Sequence, residues 1–148
     1  MQTETLSENE IRDFRALARC IIPPNATYDV PGADDDLIFA DILRSLERDH
    51  DRVRQALAQL VTLSGGSFAA LDAQAREATA KTFKAAGGPA LAALVRVVLL
   101  CYYRDDRVMR SLGQEPRSPF PKGHVVEQGD WSLLDPVRAR APFYRRVG

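Results

Sequence analysis

The segment Pro89–Tyr103 constrains this chain more than any other. Leu91, Leu94, Val95, Val97, Val98, Leu99 and Leu100 leave it almost no polar side, and Arg96 is the one charge within it. A helix that is apolar nearly all round is stable in water only when other elements cover it, so it belongs at the centre of a bundle. Pro89 suits the first helical position, because its φ is preset and its missing N–H would have had no partner there. The valine-rich stretch Val95–Leu100 also has strand character, but the chain offers no second strand to pair with it. Ala90–Tyr103 is too short to cross a bilayer, which takes about 20 apolar residues.

Helices that could cover such a core precede it. Ser7-Glu8-Asn9-Glu10 has capping-box spacing, and Ile11, Phe14, Ala18 and Ile21 then recur on one face, with Arg12, Arg15 and Arg19 on another. Pro23-Pro24 stops that helix, and residues 25–34 are rich enough in turn formers to read as an ordered loop. Asp34-Asp35-Asp36 opens a second helix with Phe39, Ile42, Leu43 and Leu46 as its stripe. Val53, Ala56, Leu57, Leu60 and Val61 define a third, closed by Gly65-Gly66. Ser67 is a candidate cap for a fourth, which runs to Ala86. Its apolar side is mainly alanine plus Leu71 and Phe83, so deep burial is not expected. A short helix from Asp105 to Leu112 ends at Gly113. The expected fold is all-α, with a small helical bundle over residues 1–113.

Residues 114–148 read as a largely irregular, extended C-terminal arm. Prolines at 116, 119 and 121 exclude regular helix there, and Asp135-Pro136 suggests one helical turn with Asp135 as its cap. The arm nonetheless carries Phe120, Val125, Val126, Trp131, Leu133, Leu134, Val137, Phe143 and Tyr144. An extended segment cannot bury such groups against itself, and each is worth about 1.5–3 kcal/mol when buried. The arm must therefore lie on a surface, either its own bundle or a partner. Phe120, His124, Trp131, Leu134, Arg138, Phe143 and Tyr144 are the candidate partner-binding residues, with Arg140, Arg145 and Arg146 as further rim charges.

Composition narrows the function. With 45% apolar and 27% charged residues the chain is globular rather than disordered. Twenty basic residues balance twenty acidic ones, so no net field favours nucleic acid, and most charges are expected on solvated helix faces. Cys20 and Cys101 sit in helical stretches and read as small buried hydrophobes. His50, in Asp49-His50-Asp51, reads as a solvated connection between helices. His124, Glu127 and Asp130 have a ligand-like spacing, but Gly123, Gly129 and the nearby prolines argue against the helix that would bring them together. Tyr102 and Tyr103 have the form of an acid/base pair. The stronger reading is a core-helix end with a ring inside and a hydroxyl at the rim. No catalytic, cofactor-binding or metal-binding set is assigned, and no phosphate loop or dinucleotide motif is present.

The order of several stretches is similar to the gluconate 2-dehydrogenase subunit 3 family, the small (gamma) subunits of membrane-linked sugar and alcohol dehydrogenases. They are Leu17-Ala-Arg-Cys-Ile-Ile-Pro-Pro24, Pro31-Gly-Ala33, Leu99-Leu-Cys-Tyr-Tyr-Arg-Asp105, Ser111-Leu-Gly113 and Pro119-Phe-Pro-Lys-Gly-His124. The resemblance implies a non-catalytic subunit that holds no cofactor itself. It would form a hetero-oligomer with a large FAD-containing subunit of the glucose–methanol–choline oxidoreductase type. That partner oxidises a sugar or other alcohol by hydride transfer to flavin, in many complexes with a cytochrome as electron acceptor. The twin-arginine leader of the family is not seen; the Arg-Arg pair here is Arg145-Arg146. The sequence as written is thus expected in the cytoplasm without membrane insertion, or in the periplasm if a leader has been removed. The competing readings are a free-standing helical enzyme using Tyr102, Tyr103 or His124, and a helical adaptor unrelated to redox chemistry.

Overall fold

The computed structural model describes residues 5–118, 120, 122, 123 and 125–143. Among them are seven α-helices, three 3-10 turns and no strand, so the protein is all-α. It divides into two units, Met1–Pro116 and Arg117–Gly148.

The first unit opens with α1 (Glu8–Ile21). The Ser7 hydroxyl accepts from the Glu10 amide, and the Glu10 carboxylate accepts from the Ser7 amide at 2.7 Å, which completes the capping box. Pro23 and Pro24 end the helix and lead into a loop closed by paired backbone bonds between Asn25 and Val30. Helix α2 (Asp36–Arg44) and a 3-10 turn at Glu47–Asp49 follow, running without a break into α3 (His50–Ser64). Gly65 caps α3 in the left-handed conformation, at φ 66°. A second 3-10 turn (Phe68–Ala70) precedes α4 (Ala73–Ala86), and α5 (Pro89–Tyr103) and α6 (Asp106–Ser111) complete the unit.

Helix α5 packs against α3 and α2, burying Ala90, Ala93, Leu94, Val97, Val98, Cys101 and Tyr102. Facing them are Ile38, Phe39 and Ile42 of α2 and Val53, Ala56, Leu57 and Leu60 of α3. The central place expected for α5 is correct, but coverage all round is not. Leu99, Leu100 and Tyr103 are exposed, because the neighbouring helices cover one side of α5 and leave the other to solvent. Val61 is exposed for the same reason.

Other expectations fail on tertiary grounds. Ser67 does not cap α4; its hydroxyl donates to Asp13 at 2.7 Å, and Asp72 caps the helix through the Ala75 amide. Helix α4 is shallowly packed as expected, with Phe83 as its one buried residue, while Phe68 is buried because the 3-10 turn folds it beneath α1. Cys20 is exposed, unlike Cys101. His50 is buried, 7% exposed, because no loop separates it from the preceding 3-10 turn. Neither of its ring nitrogens has a hydrogen-bond partner, and Nδ1 lies 3.6 Å from the Asp51 carboxylate.

Many charges join elements rather than coating them. Asp34 pairs with Arg19 at 2.8 Å and Asp36 with Arg15 at 2.7 Å, both on α1. Between them Asp35 caps α2 through the Leu37 and Ile38 amides and receives both terminal nitrogens of Arg107 from α6. Arg104 donates to Asp41 at 2.7 Å, and the buried Asp49 receives Arg96. Asp13, 2% exposed, accepts from Ser67 and from the Ala69 amide, fixing the second 3-10 turn to α1.

The hydrogen bond from Arg107 holds the Asp35 and Asp105 carboxyls below their ordinary range, and that from Arg104 does the same for Asp41. Because these carboxyls ionise more easily folded than unfolded, their contribution is complete above the unfolded value of about 3.9 and is lost as pH falls through the lower folded values. Thermal stability is therefore expected to drop below about pH 4, and Asp35→Asn should flatten that drop. An equally steep acid limb in the variant would contradict this. Leu94→Ala, at the α5 core, is expected to cost about 2–5 kcal/mol in chemical denaturation. An unchanged midpoint would mean that α5 is not the centre of the core.

Candidate partner-binding surface

Among the described residues, the second unit contains one continuous helical run, built locally. Asp130 accepts from the Ser132 amide at 3.0 Å and starts the 3-10 turn Trp131–Leu134, which passes directly into α7 (Asp135–Arg138). Asp135 is therefore not the cap expected from sequence; it is an internal residue of the run, and Asp130 holds the N-terminus instead. Upstream, Arg117 donates to the backbone carbonyls of Ser118 and Gly123, and Gly123 has φ 68°.

This geometry sorts the candidate residues. Trp131, Leu134 and Arg138 are three and then four apart, matching the repeat of the 3-10 turn and then of the α-turn, so they share one side of the run. The Trp131 indole donates to Gln128 at 3.1 Å, and Arg138 lies 3.3 Å from Asp135. Trp131 is 61% exposed, Leu134 39%, Phe120 86% and Phe143 88%. Val125, Val126, Leu133 and Val137 are exposed as well. His124, Tyr144, Arg145 and Arg146 lie outside the described residues.

The tyrosine pair is brought together, with ring centroids 5.2 Å apart, but the two differ in setting. Tyr102 is buried and its hydroxyl donates to the Pro31 carbonyl at 3.1 Å, while Tyr103 is exposed. Burial, followed by the neighbouring Tyr103 and Asp105, pushes the Tyr102 hydroxyl pKa up. A hydroxyl engaged by a backbone carbonyl and made harder to ionise acts as a structural tie. Glu127 and Asp130 are both exposed, and Asp130 is engaged as a cap. Among the described residues no group of three acidic, histidine or cysteine side chains is arranged to hold a metal ion, and no single helix is long and apolar enough to cross a membrane.

Three of the stretches that carry the family resemblance are held against one another. The Ala33 amide donates to the Ile22 carbonyl at 2.9 Å, and Tyr102 closes onto Pro31. A side chain at Gly32 would press its Cβ against the Asp34 carboxylate and to 2.9 Å from the Pro24 ring, so glycine lets the chain cross here without displacing either. Sequence reading picked out these residues without the contacts between them. It missed the buried acceptor Asp13 altogether, because one aspartate in an Arg-rich helix gives no signal of burial.

No family model, curated protein or solved structure matches this chain.

Trp131 is the sole tryptophan, which makes its setting measurable. In the isolated protein its fluorescence is expected to be quenched by acrylamide nearly as strongly as that of a free indole. Strong protection from the quencher would show that the ring is buried and would remove it from the candidate surface.

Proposed function

We propose that this protein is the non-catalytic small subunit of a large FAD-dependent dehydrogenase acting on the CH–OH group of a sugar or other alcohol. The observation that carries the reading is the exposed apolar load of the second unit: Phe120, Trp131, Leu133, Val137 and Phe143 on a proline-broken backbone. Groups of this size left in water mark an interaction surface. Preset proline dihedrals reduce the entropy lost when such a segment is ordered on a partner. The nature of the partner comes from the resemblance to the gluconate 2-dehydrogenase subunit 3 family. The mutual packing of Leu17–Pro24, Pro31–Ala33 and Leu99–Asp105 supports that reading by giving those residues a joint role in the fold. It has no bearing on the chemistry of the partner.

In this reading the flavin, the alcohol site and the electron transfer all belong to the large subunit, of the glucose–methanol–choline oxidoreductase type. The small subunit covers an apolar face of the flavoprotein and keeps it folded. Trp131 is the central anchor, with Phe120, Leu134 and Phe143 around it, since aromatic groups with a polar edge dominate interface energetics. Arg138 contributes orientation at the rim more than affinity.

Co-expression with a flavoprotein of this class is expected to yield a complex with a flavin absorption spectrum, whereas the isolated chain is colourless. Deleting residues 114–148 should leave a folded helical bundle that no longer retains the flavoprotein. Trp131→Ala in the full chain should weaken the complex by about 2 kcal/mol, near thirtyfold in Kd. A truncated bundle that still co-purifies with active flavoprotein would move the interface to the helices. Alcohol oxidation by the isolated chain would overturn the non-catalytic assignment.

A further inference from the structure

The first unit carries a groove of about 830 Å³ between the C-terminal half of α1, α4 and the beginning of α5. Its floor is apolar and includes Leu17, Ile21, Ala80, Phe83, Leu91 and Val95. Its rim is cationic, with Arg19, Arg76, Lys81 and Lys84 against a single carboxylate, Glu77. Two of these cations are already paired, Arg19 with Asp34 and Lys81 with Glu77. Arg76 donates to the backbone carbonyls of Ala69 and Leu71, and its Nε is buried without a partner. Among the described residues no carboxylate neutralises Arg76 or Lys84.

The spacing of the unneutralised charges selects the shape of the occupant. Arg76, Ala80 and Lys84 are four apart on one side of α4, so the two basic side chains leave the helix at points about 12 Å apart along its axis. A single anionic head group reaches one of them. An elongated occupant with carboxylates spaced along its edge reaches both. The short side chain of Ala80 between them lets another backbone approach closely. We propose that this groove receives an acidic amphipathic helix from another protein, with its apolar face on the Leu17–Phe83–Val95 floor and its carboxylates along Arg76 and Lys84. The groove lies on the bundle, so this is a docking site additional to the Trp131 surface, and it holds whether or not the partner is a flavoprotein.

Cys20 lines the groove as an exposed thiol, while Cys101 is buried, so its alkylation reports occupancy. The full-length chain is treated with N-ethylmaleimide and Cys20 modification is followed by mass spectrometry. Three probes are compared: an amphipathic Leu/Glu peptide of about three helical turns, its Leu/Lys counterpart, and decanoate. The Leu/Glu peptide is expected to slow Cys20 alkylation at least about tenfold at saturation, with little effect from the other two. The double variant Lys81→Glu, Lys84→Glu should invert the peptide preference, and circular dichroism checks that it stays helical. If it does not, Lys84→Gln alone should weaken protection by the Leu/Glu peptide several-fold. Protection by neither peptide, or equal protection by both, overturns the proposal. Protection by decanoate alone overturns it too, and makes the groove a pocket for small anionic amphiphiles.

Discussion

Ala90, Leu94, Val97, Val98 and Cys101 of α5 are buried against α2 and α3, and the rest of the first unit is arranged around that burial. Magnitudes say why. A large apolar side chain is worth about 1.5–3 kcal/mol when removed from water. A half-exposed ion pair such as Arg15–Asp36 is worth about 0–1 kcal/mol. The core therefore supplies the driving force, and the charged groups choose among the ways of achieving it. Asp35 illustrates the choice, since one carboxylate caps α2 and receives Arg107 from α6. With Asp34 and Asp36 held by Arg19 and Arg15, the start of α2 is fixed from two sides, and Ile38, Phe39 and Ile42 are delivered to the α5 face.

The loop between α1 and α2 extends the same arrangement. Gly32 lets the chain pass against Pro24 and Asp34, the Ala33 amide bonds to Ile22, and Tyr102 closes the crossing through the Pro31 carbonyl. Residues far apart in sequence meet here through two bonds to backbone carbonyls, at a crossing too tight at Gly32 for a Cβ without displacement of its neighbours. Such a cluster reports on fold. The proposed complex rests on other features: the exposed aromatic groups of the second unit for the interaction surface, and the family resemblance for the partner class.

Surfaces of two kinds follow from the two units. Among its described residues the second unit presents large apolar groups and one short helical run, a form suited to being ordered on a partner. The first unit presents a preformed groove whose walls are fixed by α1, α4 and α5. Both arise from incomplete coverage of apolar surface, but they differ in the entropy that binding would cost. The groove is already built, and the second unit has little tertiary packing of its own.

Local periodicity determined the helices. The capping box at Ser7, the proline stop after Ile22, the glycine cap at Gly65 and the apolar run from Pro89 all act within a few residues, so each was legible in the sequence. So was the apolar load of the chain beyond Gly113, as a count of side chains that an extended backbone cannot bury by itself. Tertiary structure decided the rest. It buried His50 and Phe68 and exposed Cys20 and Leu100. It took Ser67 from a cap to a partner of Asp13, and turned an acidic run into three cross-links. The physical reason is common to all of these. A helical period says which residues share a face, but which faces meet depends on the crossing of helices distant in sequence, and no local pattern encodes that crossing.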